Sequence, residues 1–531
     1  MAGGAADARL DKERERERDE HVERGPRLLA RERCGESVAR ALVWRAFEVL
    51  SLNQFPPTSG IDFTLREGQA DADDKEDILP AGRPAQRETR EMASSMGPNE
   101  VKWVSKYLDE SGDKTLFCSC VRQIKGAKEQ DRILLVGKYR VLTIKTNKLR
   151  RNCSCSKSLP ILSLRRMIVD EAVDTLLTLV FADMELVLRS PRVPDAVQAI
   201  RTAFAAIGGR FPLEHHPVFV GPPSTLLPIS PTSGGAAAAF LRTYRAYCDL
   251  HGATARTELE CHVRDQMADG LRDLDLNECF ENCANPPFGP ADVRALCSTL
   301  KFDTWFRNLI AESLGLTPEG SVVVMGELLR VNTSIATLSL CAAGLARSSF
   351  TAFAESLSRN RRCAITELDL SMNHISLAMA ADLGQALASS EQGLHSLTLS
   401  HCDMVPRASA TVLRDMAGLS GTLRVMNLSR NNLGRDGSAA LAEWLSGSFA
   451  LTHLILSDAS VDVSQVTQAL LRNKVLSCSS LALLDLSRNK ICANGCAYLG
   501  NVMHATTSLT CLVLVAMPGL GSKKVGKKGT L

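Results

Sequence analysis

A Leu-x-x-Leu-x-Leu-x-x-Asn/Cys-x-Leu pattern begins at Ile335, Ile365, Leu394, Leu423, Leu451, Leu481 and Leu509, in steps of 28 to 30 residues. No other feature constrains this chain as much. A unit of that length holds one strand and one full helix, as in leucine-rich repeats of the ribonuclease-inhibitor subclass. Such a unit cannot bury its apolar face alone, so neighbours must stack into a solenoid with a continuous core. Ala380–Leu387 and Gly437–Leu445 carry the helical spacing between strands. Weaker units reach back to Leu271-Arg-Asp-Leu274-Asp-Leu276-Asn-Glu-Cys279 and Phe306-Arg-Asn-Leu309, giving about nine in all. An α/β horseshoe over the C-terminal half is expected.

The ninth position of the unit alternates. Asn373, Asn431 and Asn489 hold it in every second repeat, with Ala343, Cys402 and Ala459 between them. An Asn amide can satisfy loop backbone groups that would otherwise go unpaired, whereas a small residue or Cys only packs. Cys279, Asn373, Cys402, Asn431 and Asn489 are therefore expected to form a ladder along the stack. The strands should present a face to a partner. Its candidate residues are Glu367, Asp369, His395, His401, Arg424 and Asn427, followed by Arg430, His453, Asp458, Asp485 and Arg488. Polar and balanced in sign, they suit a protein better than a nucleic acid.

Upstream the chain changes character. Residues 1–98 carry a mixed-charge run at 11–20 and an acidic, Pro- and Gly-bearing stretch, too polar to offset ordering entropy. They are expected to be disordered, apart from a short helix over Ser37–Leu52. Residues 99–212 hold strand-like runs at Thr115–Ile124, Arg132–Ile144, Leu159–Val169, Leu176–Phe181 and Met184–Leu188, then a helical spacing over Val193–Ile207. Strands closed by one helix make the layout of a pleckstrin-homology-like β-barrel with a C-terminal helix. Residues 213–238 are a Pro- and Gly-rich linker with no regular element expected, and 239–531 are a helical lead-in and the repeats.

Charge is concentrated in the second segment. Residues 101–213 contain 20 Lys and Arg against 11 Asp and Glu, and between Val121 and Arg166 the ratio is 13 to 2. Such an excess fits an anionic phospholipid surface, at about 1 kcal/mol per well-placed basic residue. Lys138, Arg140, Lys145, Lys148, Arg150 and Arg151 are the candidate contacts, placed near one end of the barrel. Scarce aromatics argue against nucleic acid.

Catalytic chemistry finds no footing. Gly521-Ser-Lys-Lys-Val-Gly526-Lys527-Lys528 resembles a phosphate loop, but Lys528 stands where a Mg²⁺-holding Ser or Thr is needed. Cys118-Ser-Cys120 and Cys153-Ser-Cys155 lack the spacing of a zinc knuckle, and Cys492 and Cys496 read as packing residues. No catalytic residue, metal or cofactor is expected. The alternatives to an adaptor are a generic repeat inhibitor or sensor, or a Ran-type GTPase activator with Arg430 or Arg488 as its finger. The chain opens without an apolar signal segment, and seventeen scattered cysteines suit a reducing compartment. An intracellular protein is expected.

The order of elements resembles the CARMIL family. The residues that carry this are Phe240-Leu-Arg-Thr-Tyr244-Arg-Ala-Tyr247-Cys248-Asp249, Ala295-Leu-Cys-Ser-Thr-Leu-Lys-Phe-Asp-Thr-Trp305-Phe306 and Arg272-Asp-Leu-Asp-Leu276. The resemblance implies a regulator of actin filament organisation and capping protein in the cytoplasm, at the cytoplasmic face of the plasma membrane and lamellipodium. It implies a cytoskeletal protein such as myosin I on the repeat face. The family's basic capping-protein-interaction motif has no match here, so uncapping is not among the expectations.

Overall fold

The antiparallel half begins with a hairpin. β1 (Phe117–Lys125) and β2 (Lys128–Val136) are joined by a two-residue turn whose Gly126 sits at φ +57°. Then follow β3 (Arg140–Asn147), β4 (Asn152–Pro160), β5 (Leu164–Val169), β6 (Leu176–Phe181) and β7 (Glu185–Arg189). The computed structural model describes residues 96–111, 115–147, 152–170, 173, 175–229, 234–280, 289–313, 316–390, 393–473 and 480–518. All belong to one compact unit, Gly82–Leu531. The helix expected over Ser37–Leu52 and the basic stretch Gly521–Lys528 lie outside the described residues, as does nearly all of 1–98.

Ile133-Leu-Leu-Val136 is a continuous apolar run because both faces of the sheet are covered. Leu134 and Val136 point to a core shared with α2 (Val193–Gly208). Ile133 and Leu135 point to a second core under α1 (Pro98–Ser111), with Val104, Leu142 and Ile144. The run Arg132–Ile144 is not one strand: the Gly137 amide donates to the Arg140 carbonyl (2.9 Å) and closes a turn there. The Pro-rich segment also contributes β8 (Val218–Val220), which pairs in parallel with β5. That corrects two expectations. The segment is not without regular structure, and the sheet, ordered β4-β3-β2-β1-β7-β6-β5-β8, is not a closed barrel. Strand β8 takes the edge of β5 that closure onto β4 would need.

The second half is α/β. The lead-in helices α3 (Ala236–His251) and α4 (Thr257–Ala268) precede β9 (Asp273–Asp275), α5 (Leu276–Phe280), α6 (Pro290–Leu300) and β10 (Asn308–Ile310). Next come α7 (Pro318–Val322, continued by a π-helical turn), β11 (Thr337–Ser339), α8 (Arg347–Arg359), β12 (Glu367–Asp369) and α9 (Leu377–Ala388). The series ends with β13 (Ser396–Thr398), α10 (Pro406–Asp415), β14 (Val425–Asn427), α11 (Gly434–Gly447), β15 (His453–Ile455), α12 (Val463–Arg472), β16 (Leu483–Asp485), α13 (Ala493–Ala505) and β17 (Cys511–Val513). Strands β9 to β17 form a parallel sheet in sequence order. The middle residue of nearly every strand, from Leu274 to Leu484, is buried against the helices. Helices pack closely enough that a Cβ on Gly384 would come within 2.6 Å of Asp415 on α10. Among the described residues, no helix is long and apolar enough to cross a membrane.

The lead-in joins the two sheets. The Arg140 Nε on β3 donates to both carboxylate oxygens of Asp249 on α3 (2.7 and 2.9 Å), and its Nη2 donates to the Asp249 carbonyl (3.0 Å). Thr243 donates its hydroxyl to the Ile207 carbonyl at the end of α2 (2.6 Å). Phe211 packs against Tyr247 and Phe302, and the His215 ring lies 4.6 Å from Phe302. On the other side of the lead-in, Phe240 meets Phe306 edge-on at 5.4 Å. The Trp305 indole donates to the Leu271 carbonyl (2.8 Å), and the Arg272 guanidinium lies 4.0 Å from a Trp305 ring. The residues that carry the family resemblance therefore build a joint and a lid over β9.

Candidate functional site

Strand register makes the first and third residues of β9–β17 into two columns, and with one exception they are half-buried or exposed while the middle residue packs on the helices. These columns line the face of the sheet opposite the helices. The first runs Asp273, Asn308, Thr337, Glu367, Ser396, Val425, His453, Leu483, Cys511; the third runs Asp275, Ile310, Ser339, Asp369, Thr398, Asn427, Ile455, Asp485, Val513. Of the expected face residues, Glu367, Asp369, Asn427, His453 and Asp485 stand in these columns. His395 and Arg424 stand one residue earlier, where their amides donate to the Thr366 and His395 carbonyls.

The other four do not lie on the strands. His401, Arg430, Asp458 and Arg488 sit in the turn after each strand with φ of +50° to +60°. Their amides donate to carbonyls of the next repeat, as from Arg430 to Ser457 (2.8 Å). The left-handed conformation takes the chain off the pleat, so strand alternation does not carry these side chains onto the sheet face. They are exposed along a rim instead.

Three of the column residues also hold the fold. Asp369 accepts the Ser371 amide (2.8 Å), Asn427 the Ser429 amide (3.0 Å) and Asp485 the Ser487 amide (2.8 Å). These Asx turns start each strand exit. The Thr337 hydroxyl donates to Glu367 (3.3 Å). Burial holds the His453 imidazole below the usual histidine range, beside the Thr452 hydroxyl at 2.8 Å.

Behind them runs the ladder. The Asn431 amide donates to the carbonyls of Leu399, Leu428 and Ser429, and its oxygen accepts the amides of Cys402 (3.1 Å) and Met404 (3.3 Å). Asn489 does the same for Leu456, Leu486 and Ser487 and for Ala459 and Val461. Asn373 follows suit, with Leu345 as amide donor. Each Asn thus serves its own repeat and the one before, so every second repeat can dispense with one. Cys402, in such a repeat, directs its thiol at the Leu370 carbonyl (3.4 Å). Cys279 is not part of the ladder. Asp275 accepts the Asn277 amide (2.8 Å) and starts α5 at once, so Cys279 lies in a helix. A second set went unnoticed in the sequence: Asn332, Asn360 and Asn473 donate to carbonyls at the end of the preceding helix, Leu300, Leu329 and Leu445.

The basic sheet is arranged otherwise than expected. Arg140 is taken up by Asp249. Lys138 lies in the β2–β3 turn at the same end as Arg140, while exposed Lys145 lies toward the other end of β3, beside the β1–β2 hairpin that carries Lys125 and Lys128. The β3–β4 loop with Lys148, Arg150 and Arg151 falls outside the described residues. Lys138, Arg140 and Lys145, the three candidates among the described residues, do not share one end, because a strand separates them by about 3.3 Å per residue. Cys118 packs its thiol on the Met96 sulfur (3.7 Å), and burial pushes its pKa up to about 12. Cys492, read as a packing residue, is exposed with its sulfur 3.1 Å from the Ser464 hydroxyl.

No family model matches the chain. It is 23% identical over 443 residues to Protein CARMIL of Dictyostelium discoideum, covering 79% of this chain and 39% of that protein. To the capping protein, Arp2/3 and myosin-I linker protein 3 of Rattus norvegicus it is 29% identical over 255 residues, 47% of this chain and 18% of that one. To the mouse linker protein 2 it is 28% identical over 378 residues, 68% and 26%. A Rho GTPase-activating protein, gacW of Dictyostelium discoideum, matches 47% of the chain at 20% identity. The chain spans less than half the length of these relatives. Of these, Protein CARMIL and the linker proteins support the resemblance read from the sequence.

Proposed function

We propose that this chain, as a relative of the CARMIL proteins, is a non-enzymatic adaptor of the actin cytoskeleton. In this reading the antiparallel sheet is a pleckstrin-homology-like module that meets anionic lipid at the cytoplasmic face of the plasma membrane. The nine-stranded sheet is the inner wall of a leucine-rich-repeat horseshoe that holds a cytoskeletal protein. The observation that carries it is the extent of the similarity: 79% of the chain is more than either sheet occupies. Names of the relatives join capping protein, Arp2/3 and myosin I, and those are the partners to try first.

The lipid contact is assigned to Lys125, Lys128 and Lys145 of the sheet and, from the sequence alone, to Lys148, Arg150 and Arg151. Lys138 and Arg140 are left out of it, Arg140 because it serves the joint. Vesicles with and without phosphatidylserine, sedimented with residues 1–531, test this. Binding is expected only with the anionic lipid and to fall steeply as salt rises, since exposed charges are screened beyond about 8 Å at 0.15 M. Reversing Lys125, Lys128 and Lys145 to Glu removes about 3 kcal/mol, at ~1 kcal/mol per basic residue. Purified myosin I and capping protein, offered to the vesicle-bound chain, test the adaptor role. Failure to retain either protein and to pellet with anionic vesicles overturns the proposal.

A further inference from the structure

The face opposite the helices is not balanced in sign once its residues are placed strand by strand. We infer that it binds an amphipathic helix of a protein partner, basic at one end and aliphatic at the other. This rests on the reading of that face as a partner surface and names the partner's chemistry.

Over β9–β12 the two columns hold Asp273, Asp275, Glu367 and Asp369, and the turn after β10 adds Glu312, half-buried with the Ser339 hydroxyl donating to it at 2.8 Å. Neither column contains a Lys or Arg on any strand. Over these strands two arginines stand one residue before the first column: Arg272, turned onto Trp305 and its carbonyl, and exposed Arg307, so the five carboxylates outnumber them. Asp275 and Asp369 each fix one oxygen on turn amides, so their carboxylates are set in place before any ligand arrives. Five carboxylates, on β9, on β12 and in the turn after β10, repel phosphate, which excludes nucleic acid and lipid headgroups from this half. They attract lysine and arginine.

Strands β13–β17 differ. After the small hydroxyls Ser396 and Thr398 come Val425, Ile455, Leu483 and Val513, aliphatic and half-buried, beside the neutral Asn427, His453 and Cys511 and with one carboxylate, Asp485. A partner must therefore offer cations to one half and apolar area to the other. It must also satisfy its own backbone. Every strand from β10 to β16 is paired on both sides, so an extended peptide could hydrogen-bond only at β9 or β17, and a helix needs no backbone partner. Four and a half strand spacings of about 4.8 Å separate the centres of the two halves, roughly 22 Å. A helix covers that in about 15 residues at 1.5 Å each.

The test is a display selection of helical 20-residue peptides, randomised on one face, on immobilised residues 1–531. Enriched peptides are expected to carry Lys or Arg in one half and Leu, Ile or Val in the other. Their binding should weaken at least tenfold in the Asp273→Lys, Glu367→Lys double variant and at least tenfold in Leu483→Asp. None of these substitutions touches a turn cap or the Asn ladder, and circular dichroism with unchanged melting confirms the fold. Peptides that need Leu483 but show no basic bias, or that ignore the double variant, overturn the inference while leaving a partner surface. If no selected peptide is sensitive to either variant, the partner surface fails with it.

Discussion

In the antiparallel sheet, Arg122 of β1 pairs with Arg189 of β7, and β5 finds β8 only after the chain has crossed α2. In the parallel sheet each strand pairs with the next in sequence, and the longest step runs from Asp273 to Asn308. The first sheet depends on contacts made once, between segments unlike each other. The second depends on one local contact made many times, held by a side-chain amide that spans two units. Losses should therefore spread differently: along the stack they are shared by neighbours and graded by position, while at the joint between the sheets they are all-or-none.

The largest effect is expected at Asn431. Its removal leaves the Leu399 and Leu428 carbonyls and the Cys402 and Met404 amides without their partner, in two repeats at once, while the Ser429 carbonyl keeps the His401 amide. At about 1–3 kcal/mol per buried group left unpaired, less what relaxation recovers, Asn431→Ala should cost about 4 kcal/mol in urea unfolding. Cys402→Ala, on the alternate position whose thiol reaches the Leu370 and Ser400 carbonyls, should cost about 1 kcal/mol. Equal losses would mean that the alternation carries no structural division of labour.

Position along the stack comes next. Leu428, 2% exposed, is enclosed by repeats on both sides, while Leu512 on the edge strand β17 is only partly buried. Leu428→Ala should cost ~2–5 kcal/mol and Leu512→Ala clearly less, because a site open on one side leaves a smaller cavity. A Leu512→Ala loss as large as that of Leu428→Ala would break the picture of a graded stack.

Smaller still is the joint. The Arg140–Asp249 pair is about 30% exposed, so solvent limits Asp249→Asn to roughly 1 kcal/mol. Its signature lies elsewhere: the two sheets, expected to melt in one calorimetric transition, should melt in two once the pair is broken. An unsplit transition would show that the aromatic packing around Phe211 suffices alone.

The same contrast governs what could be read from the residues. Nine parallel strands and the amide ladder were legible because each was written several times over. Cys279 fitted the pattern by letter, but Asp275 in front of it starts a helix. The rim positions were misplaced because the left-handed turn after each strand leaves no trace in residue type; Ala342, Met372, His401 and Arg430 share a repeat position, a φ and an amide hydrogen bond to the next repeat, but no side-chain chemistry. In the antiparallel sheet, β4 (Asn-Cys-Ser-Cys-Ser-Lys-Ser-Leu-Pro) has no β-branched residue and is held by register with β3. Helix α1 was missed although Val101, Val104 and Leu108 carry its spacing. Arg140 could be read as basic, but not as bound, since its partner lies on a helix 109 positions away.

Thiol reactivity sets one residue of the repeat half apart from the antiparallel sheet. In the antiparallel sheet the Cys118, Cys120, Cys153 and Cys155 thiols all lie above their ordinary value, chiefly through burial, Cys118 at about 12. At the N-terminus of α13, Cys492 lies below its ordinary value, first because of the Ser464 hydroxyl and then the Gly495 amide. Since the thiolate is the nucleophile, Cys492 should react with iodoacetamide at a lower pH than any of the four. Its labelling, followed by mass spectrometry of the folded chain, should reach half-maximum below pH ~8.5, the usual thiol midpoint. Cys118 should stay unlabelled through pH 10. Removing the hydroxyl with Ser464→Ala takes away the largest stabiliser of the thiolate, so the Cys492 midpoint should rise and the other four should not move. If Cys120 or Cys155 is labelled first, or the Cys492 midpoint ignores Ser464, then exposure alone orders the thiols and the helix terminus contributes nothing.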